Sequence, residues 1–412
     1  MWLYTQRVLV AHQIVDAEAH GRPRGNLSDL YPRWVGACEL LLRGRDPYSP
    51  EVTREIQAGY YGRPLDPSRP QDPKDQQGFA YPVYVAFYLA PALQFPFTAV
   101  QRIFWWILLV VTVASIPLWL KVLRWPLPWW IQVSLMALTL GSFPVVQGLK
   151  LQQISLLVSG MIAMAVTLLV TDHPVPAGIL LALATIKPQL VWILLLWLAM
   201  WTAADWRRRY PWLVSFLITM AILFTASELW LPHWLSRFWQ AVIAYRSYTS
   251  TASVLDMLVP APWGRVPEFL AGAATIYICW SNRGDEKDSI LFAGTVALVL
   301  AVTLIVVPTY APYNQVLLLP AILMFARERQ AIRKRSPVSR FLLAVVAVLL
   351  VWPWLSSTAL AGLSFLLPAE LIRQAWAIPG WTVLTLPVAV AALMLVVGYR
   401  GSFAASPGRV SA

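Results

Sequence analysis

The sequence predicts an all-α polytopic membrane protein, with about 11–12 transmembrane helices at about 20 residues each and one outer loop that carries the chemistry. Three observations predict it. The chain is 58% hydrophobic and 13% charged over 412 residues, more apolar surface than a soluble protein of this length can hide. Runs such as 104–120, 151–170 and 291–307 are long enough to cross about 30 Å of hydrocarbon. The basic residues sit in short loops beside apolar runs, as in Arg207-Arg208-Arg209 and from Arg327 to Arg340. That is the positive-inside pattern of cytoplasmic loops. The charge of +12 therefore does not call for nucleic acid, which needs a basic face rather than basic loop ends.

Residues 1–15 are apolar in part but carry Arg7 and His12. They lack a signal peptide's basic start and small-residue cleavage site. They read as the end of a first transmembrane helix that begins upstream. A polar block, 16–78, follows as an outer loop. It holds Asp16, Glu18, Asp29, Glu39, Asp46, Glu51, Glu55, Asp66, Asp72 and Asp75, half of the 20 acidic residues. Within it, 32–43 reads as a short amphipathic helix with Pro32 at its first position. Asp46-Pro47-Tyr48-Ser49-Pro50 reads as a turn, and 65–77 as an ordered loop without regular structure.

A transmembrane core spans 79–228, an outer interfacial segment 229–264 and further transmembrane helices 265–400. Residues 401–412 form a cytoplasmic tail. Apolar runs fall at about 97–120, 129–146, 151–170, 175–203, 210–228, 265–281, 289–307, 309–326, 340–358 and 379–398. The run 80–95, interrupted by Pro82 and Pro91, reads as a re-entrant pair. The run 175–203 is too long for one ordinary span, and Lys187-Pro188 lies near its middle. Proline removes a backbone donor and disfavours helix in the residue before it, so this run splits into two short helices with Lys187 at the break. The split puts Lys121, Arg124, Arg207–Arg209 and Arg327–Arg335 on the cytoplasmic side and the acidic block outside.

Asp29 heads the surface helix. A carboxylate at a helix N-terminus is kept ionised by the dipole and can take a proton from a sugar hydroxyl, or it can simply cap the helix. Lys187 is an intramembrane cation, costly by about 2.5–3.5 kcal/mol unless it meets water or an anion. It reads as a phosphate ligand, or as a lysine satisfied by carbonyls. Gln153 opens an apolar run on the outer side, where amides bind sugar hydroxyls or cap the helix. Tyr313 and Asn314 follow Pro308-Thr309-Tyr310 and are candidate contacts for donor phosphate or sugar. Arg33, on the surface helix, and Arg246, on an interfacial amphipathic stretch from Leu231 to Tyr248, are further candidates for phosphate. The four histidines and two cysteines have no metal-ligand spacing, so neither metal nor cofactor is expected.

An ordered set of short motifs carries a resemblance. It runs from Asp29-Leu30-Tyr31 through Gly44-Arg45-Asp46-Pro47-Tyr48 and Phe79-Ala80-Tyr81-Pro82. It continues with Gln153 and Ser155-Leu156-Leu157, and ends in the stretch from Ala177 to Pro188. Over most of 26–330 the chain resembles the GT87 (DUF2029) family of GT-C glycosyltransferases, which includes polyprenyl-phosphate-mannose-dependent mannosyltransferases. The resemblance implies transfer of a hexose, mannose first, from a polyprenyl-phosphate donor to a lipid or glycan acceptor. The site would face outward from a bacterial inner membrane. Asp29 falls where GT-C enzymes carry a catalytic aspartate. The chain departs from the family in having Gln152-Gln153 where Gly-Gln is frequent, and Tyr310 to Asn314 where mycobacterial members place histidine. A lipid-linked-sugar flippase is the alternative, since broken helices and an intramembrane lysine suit it too.

Overall fold

The computed structural model describes residues 1–19, 28–249, 252–259, 263, 265–307 and 311–397. Helices make up the regular structure of these residues, with no strand among them. Four helical segments are long and apolar enough to cross a membrane: Phe97–Val122, Trp206–Trp230, Pro337–Leu363 and Ala369–Val397. A fifth arises if Trp129–Gly141 and Phe143–Leu151, bent by 60°, count as one broken span. Ile154–Val170, Pro174–Ala184, Trp192–Ala204 and Ile290–Val306 are shorter apolar helices.

The runs expected as 11–12 spans therefore include several half-length helices. Pro188 and the turn before Ile154 cut them short. Leu217, Ile218, Ile222, Phe341, Val348 and Leu355 stand exposed on the long helices, an apolar perimeter larger than a soluble monomer shows. Ile290–Val306 is buried on nearly every side, as a helix apolar all round must be. The protein is a multi-pass membrane protein.

The polar block is folded. Its surface helix spans Leu30–Arg43, two residues earlier than expected, so Pro32 sits third rather than first. The first turn still tolerates it, because those N–H groups lack intrahelical partners. Gly44 ends the helix with φ 64°, a left-handed conformation that favours glycine. A second helix, Pro50–Tyr61, was not expected. Ser49 caps it by accepting from the Val52 N–H at 3.3 Å, and Pro50 is its first residue. Beyond it the loop is irregular but pinned. Gln57 donates to the Gln76 carbonyl at 3.0 Å and accepts from the Leu65 N–H at 3.0 Å. Tyr61 donates to the Asp75 carbonyl at 2.8 Å. The run 80–95 does not span; it forms the short helix Val85–Leu89 and a single 3-10 turn.

The break at Lys187 is present. Pro174–Ala184 ends, a 3-10 turn covers Pro188–Leu190, and Trp192–Ala204 resumes. Carbonyls freed by such a break must find donors away from water. Tyr88 donates to the Leu183 carbonyl at 2.8 Å and Tyr84 to that of Thr185 at 3.0 Å. Gly178 lets the first half-helix lie against Trp206–Trp230. A Cβ there would collide with the Trp212 carbonyl and the Ser215 hydroxyl.

The molecule has two chemically distinct ends. Phe97, at the start of the long helix Phe97–Val122, packs on Tyr31 and Trp34 of the surface helix. At that helix's other end Arg124 pairs with Asp288. Lys287–Asp172 and the Arg209 cluster lie at this second end too. Arg209 differs from its expected role as a loop charge. It is buried, donating to the carbonyls of Trp201 at 2.7 Å, Arg283 at 2.8 Å and Asp285 at 3.1 Å. It ties helix ends together.

Candidate active site

A cavity of about 360 Å³ opens where the polar block meets the membrane helices. Asp29 and Pro32 contribute from the surface helix, Asp75 to Pro82 from the loop, and Ile186 to Gln189 from the break. Trp234–Tyr248 supplies Phe238, Trp239, Val242, Tyr245 and Arg246, and the last wall holds Ala311, Tyr313 and Asn314. Five elements distant in sequence thus share one polar chamber.

Asp29 is the N-cap residue, yet its side chain makes no capping bond. The capping role open from sequence is not the one it plays. Its N–H donates to the Leu151 carbonyl at 3.0 Å, which turns the carboxylate toward Gln153. The Gln153 amide donates to Asp29 Oδ2. The expected dipole-stabilised carboxylate is also reversed. Burial pushes Asp29 above the ordinary carboxylate range, because desolvation penalises the charged form. Arg33 pulls it down, Asp75 pushes it further up, and Lys187 pulls it down.

Arg33 does not reach the cavity. It is fully buried, lies 4.1 Å over the Tyr81 ring, and donates to the Asp29 carbonyl and the Tyr81 hydroxyl. It holds the main chain of Asp29 in place and is not exposed to a phosphate. Gln153, buried at 1% exposure, likewise orients Asp29 from behind the wall.

Lys187 faces the cavity from the break. Its ammonium donates to Ser155 Oγ at 2.6 Å and Asn314 Oδ1 at 3.3 Å. The Ser155 hydroxyl in turn donates to Asn314 Oδ1 at 2.7 Å. The ammonium lies 4.9 Å from the centre of the Tyr313 ring. An ammonium has three donors. Neutral oxygens take two, and the Tyr313 π-face lies beside it. A buried cation bonded only to neutral oxygens favours a site for an anion. Arg246 is exposed at the mouth. The helix bearing it is held over the cavity by Arg237, which pairs with Asp46 at 2.5 Å. Tyr310, in the late outer segment, lies outside the described residues.

Sequence reasoning missed two residues that line the chamber, Tyr81 and Asp75, and one that bonds Lys187, Ser155. Ser155 was visible only as part of a helix start. Tyr81 lay within a quoted motif without a role. Asp75 gave no signal beyond being the last carboxylate before the apolar sequence begins.

A glycosyltransferase family 87 model matches residues 79–353, about two thirds of the chain. The chain belongs to glycosyltransferase family 87. It is thus a membrane glycosyltransferase, with a sugar donor and an acceptor. The family match takes in Gln153, Lys187, Arg246, Tyr313 and Asn314, whereas Asp29, Arg33 and Asp75 precede it. Neither a curated protein nor a solved structure matches the chain significantly.

Proposed function

We propose that this family 87 glycosyltransferase moves a hexose, mannose first, from a polyprenyl-phosphate donor to a lipid or glycan acceptor with inversion. The observation that supports it best is one cavity bearing the Asp29 carboxylate and the Lys187 ammonium. Asp29 takes the proton of the acceptor hydroxyl as that oxygen attacks the anomeric carbon. The carbon–oxygen bond to phosphate breaks on the opposite face. A phosphodiester leaves as a stable monoester anion, so no protonated carboxyl is needed, unlike in glycosidases. Lys187, with Arg246 at the mouth, offsets the charge that grows on the leaving oxygen.

Membranes carrying the protein test this directly. Supplied with undecaprenyl-phosphate [14C]mannose, they are expected to form a labelled product absent from control membranes. Label that stays on the donor while the protein is folded and inserted would overturn the reading of donor and sugar.

Two expectations accompany it. The rate should fall on the acid side at a pH above the ordinary aspartate value of about 3.9. The raised Asp29 value means that the base form is lost earlier as pH falls. A rate that stays flat down to about pH 4 contradicts a buried base. The site end should also face outward, with the Arg207 and Arg333 loops in the cytoplasm. Ser68 is exposed on the acidic loop, so a Ser68→Cys variant should react with impermeant maleimide in intact cells. Reaction only after lysis reverses the topology.

A further inference from the structure

The cavity holds a second carboxylate that the reaction as written does not use. Asp75 lines the chamber with Asp29. Its Oδ1 accepts from the Gln77 N–H at 3.0 Å and its Oδ2 from the Gln77 side-chain amide at 2.8 Å. Gln77 adopts φ 52° to make this clamp, a left-handed conformation that costs a side-chain-bearing residue free energy. No cation pairs with Asp75 among the described residues. A carboxylate offers about four acceptor positions, and the Gln77 clamp occupies two of them.

Lys187 and Arg246 bring positive charge to the lining, and Asp29 and Asp75 bring carboxylates. Asp75 lies near enough to Asp29 to push its pKa further up, so the two share a neighbourhood that accepts hydroxyl donors. Asp75 therefore has no use for the donor's anionic end. It suits an uncharged partner rich in hydroxyls, held beside the oxygen from which Asp29 takes its proton.

We propose that Asp75 binds the acceptor by accepting a hydrogen bond from a second hydroxyl next to the attacking one, so that the acceptor is a sugar or other ring polyol rather than a simple lipid alcohol. This rests on the glycosyltransferase reading with Asp29 as base. Asp75 gains no proton in the step. The attacking hydroxyl gives its proton to Asp29, its oxygen bonds the anomeric carbon, and the phosphate leaves with the electron pair.

The test uses the full chain in nanodiscs, undecaprenyl-phosphate [14C]mannose as donor, and the lipid extract of the host membrane as acceptor pool. Asp75→Asn should raise the half-saturating amount of extract about 10- to 100-fold, the worth of a hydrogen bond to a charged group. Donor half-saturation should stay within about 3-fold, since Asp75 does not meet the phosphate. Periodate, which cleaves vicinal diols, should destroy the extract's acceptor capacity. Gln77→Gly keeps the left-handed turn but removes one arm of the clamp, and should shift acceptor half-saturation in the same direction if Asp75→Asn does not fold.

Unchanged acceptor half-saturation in both variants overturns the inference and leaves the glycosyltransferase reading intact. A large loss of turnover at unchanged half-saturation also overturns it, and would make Asp75 the base in place of Asp29. Survival of acceptor capacity after periodate removes the polyol. A wild-type protein that transfers nothing fails earlier, at the proposed reaction itself.

Discussion

Asp29→Asn is expected to lower transfer by about 10²–10⁴-fold, the range general bases contribute, while leaving donor binding near wild type. The substitution isolates the proton acceptor because the scaffold around Asp29 does not depend on its charge. Arg33 bonds the main-chain carbonyl of residue 29, and the Leu151 carbonyl holds its N–H. The asparagine oxygen can still accept from Gln153. Single-turnover transfer measured beside donor binding checks the result. Near-full transfer in a folded, inserted variant would show that the base lies elsewhere. A lipid-translocation assay run on the same membranes addresses the flippase alternative. Translocation that persists without transfer leaves Asp29 with no part in lipid movement and a part in chemistry.

Lys187→Met should behave differently, raising donor half-saturation and lowering turnover together, with an expected loss of about 10- to 100-fold in kcat/KM. In the proposed reaction the lysine meets the phosphate in both ground and transition states, and charge-assisted hydrogen bonds of this kind are worth about 1.5–3 kcal/mol. Folding should survive. Ser155 and Asn314 remain bonded to each other at 2.7 Å, and an apolar side chain relieves the burial cost of a cation. Thermal melting of the variant at or above wild type, with weakened donor binding, assigns the ammonium to the ligand. Unchanged donor half-saturation would reduce Lys187 to a structural tie.

Much of this architecture was legible in the sequence because its signals are local. Lys187-Pro188 in the middle of an apolar run marks a break in any fold. Asp29 stood out as a carboxylate placed where the polar block turns into helix. What stayed hidden depends on which surfaces meet. Arg33, on the surface helix, reads as a candidate for phosphate; only its packing over Tyr81 shows that it is fully buried. Asp75 is 46 residues from Asp29 by numbering, and only the folding of the irregular loop brings both to one cavity. The Pro50–Tyr61 helix is signalled by Ser49 and Pro50, the same residues that also read as the end of a turn.

Gln152 was seen as a departure from a Gly-Gln pattern, and its backbone supplies the reason. It closes Phe143–Leu151 at φ 51° and ψ 49°, where glycine fits without strain. Here the glutamine accepts the strain and donates its side-chain amide to the Gln101 carbonyl at 2.5 Å.

The broken run between His173 and Asp205 returns to the end it left. Asp172 pairs with Lys287 at its start, and Trp201 bonds the Asp285 carbonyl near its finish. The outgoing arm is 11 residues long, about 16 Å of helix at 1.5 Å per residue. Its tip, which bears Lys187, is reached after roughly half the length needed to cross about 30 Å of hydrocarbon. In the proposed reaction a lipid carrier's phosphate has to reach an ammonium at the tip of this arm, by sinking from the water boundary or by thinning of the bilayer over the chamber. Bilayer thickness would then be a variable of the proposed reaction, matched against the length of one short helix.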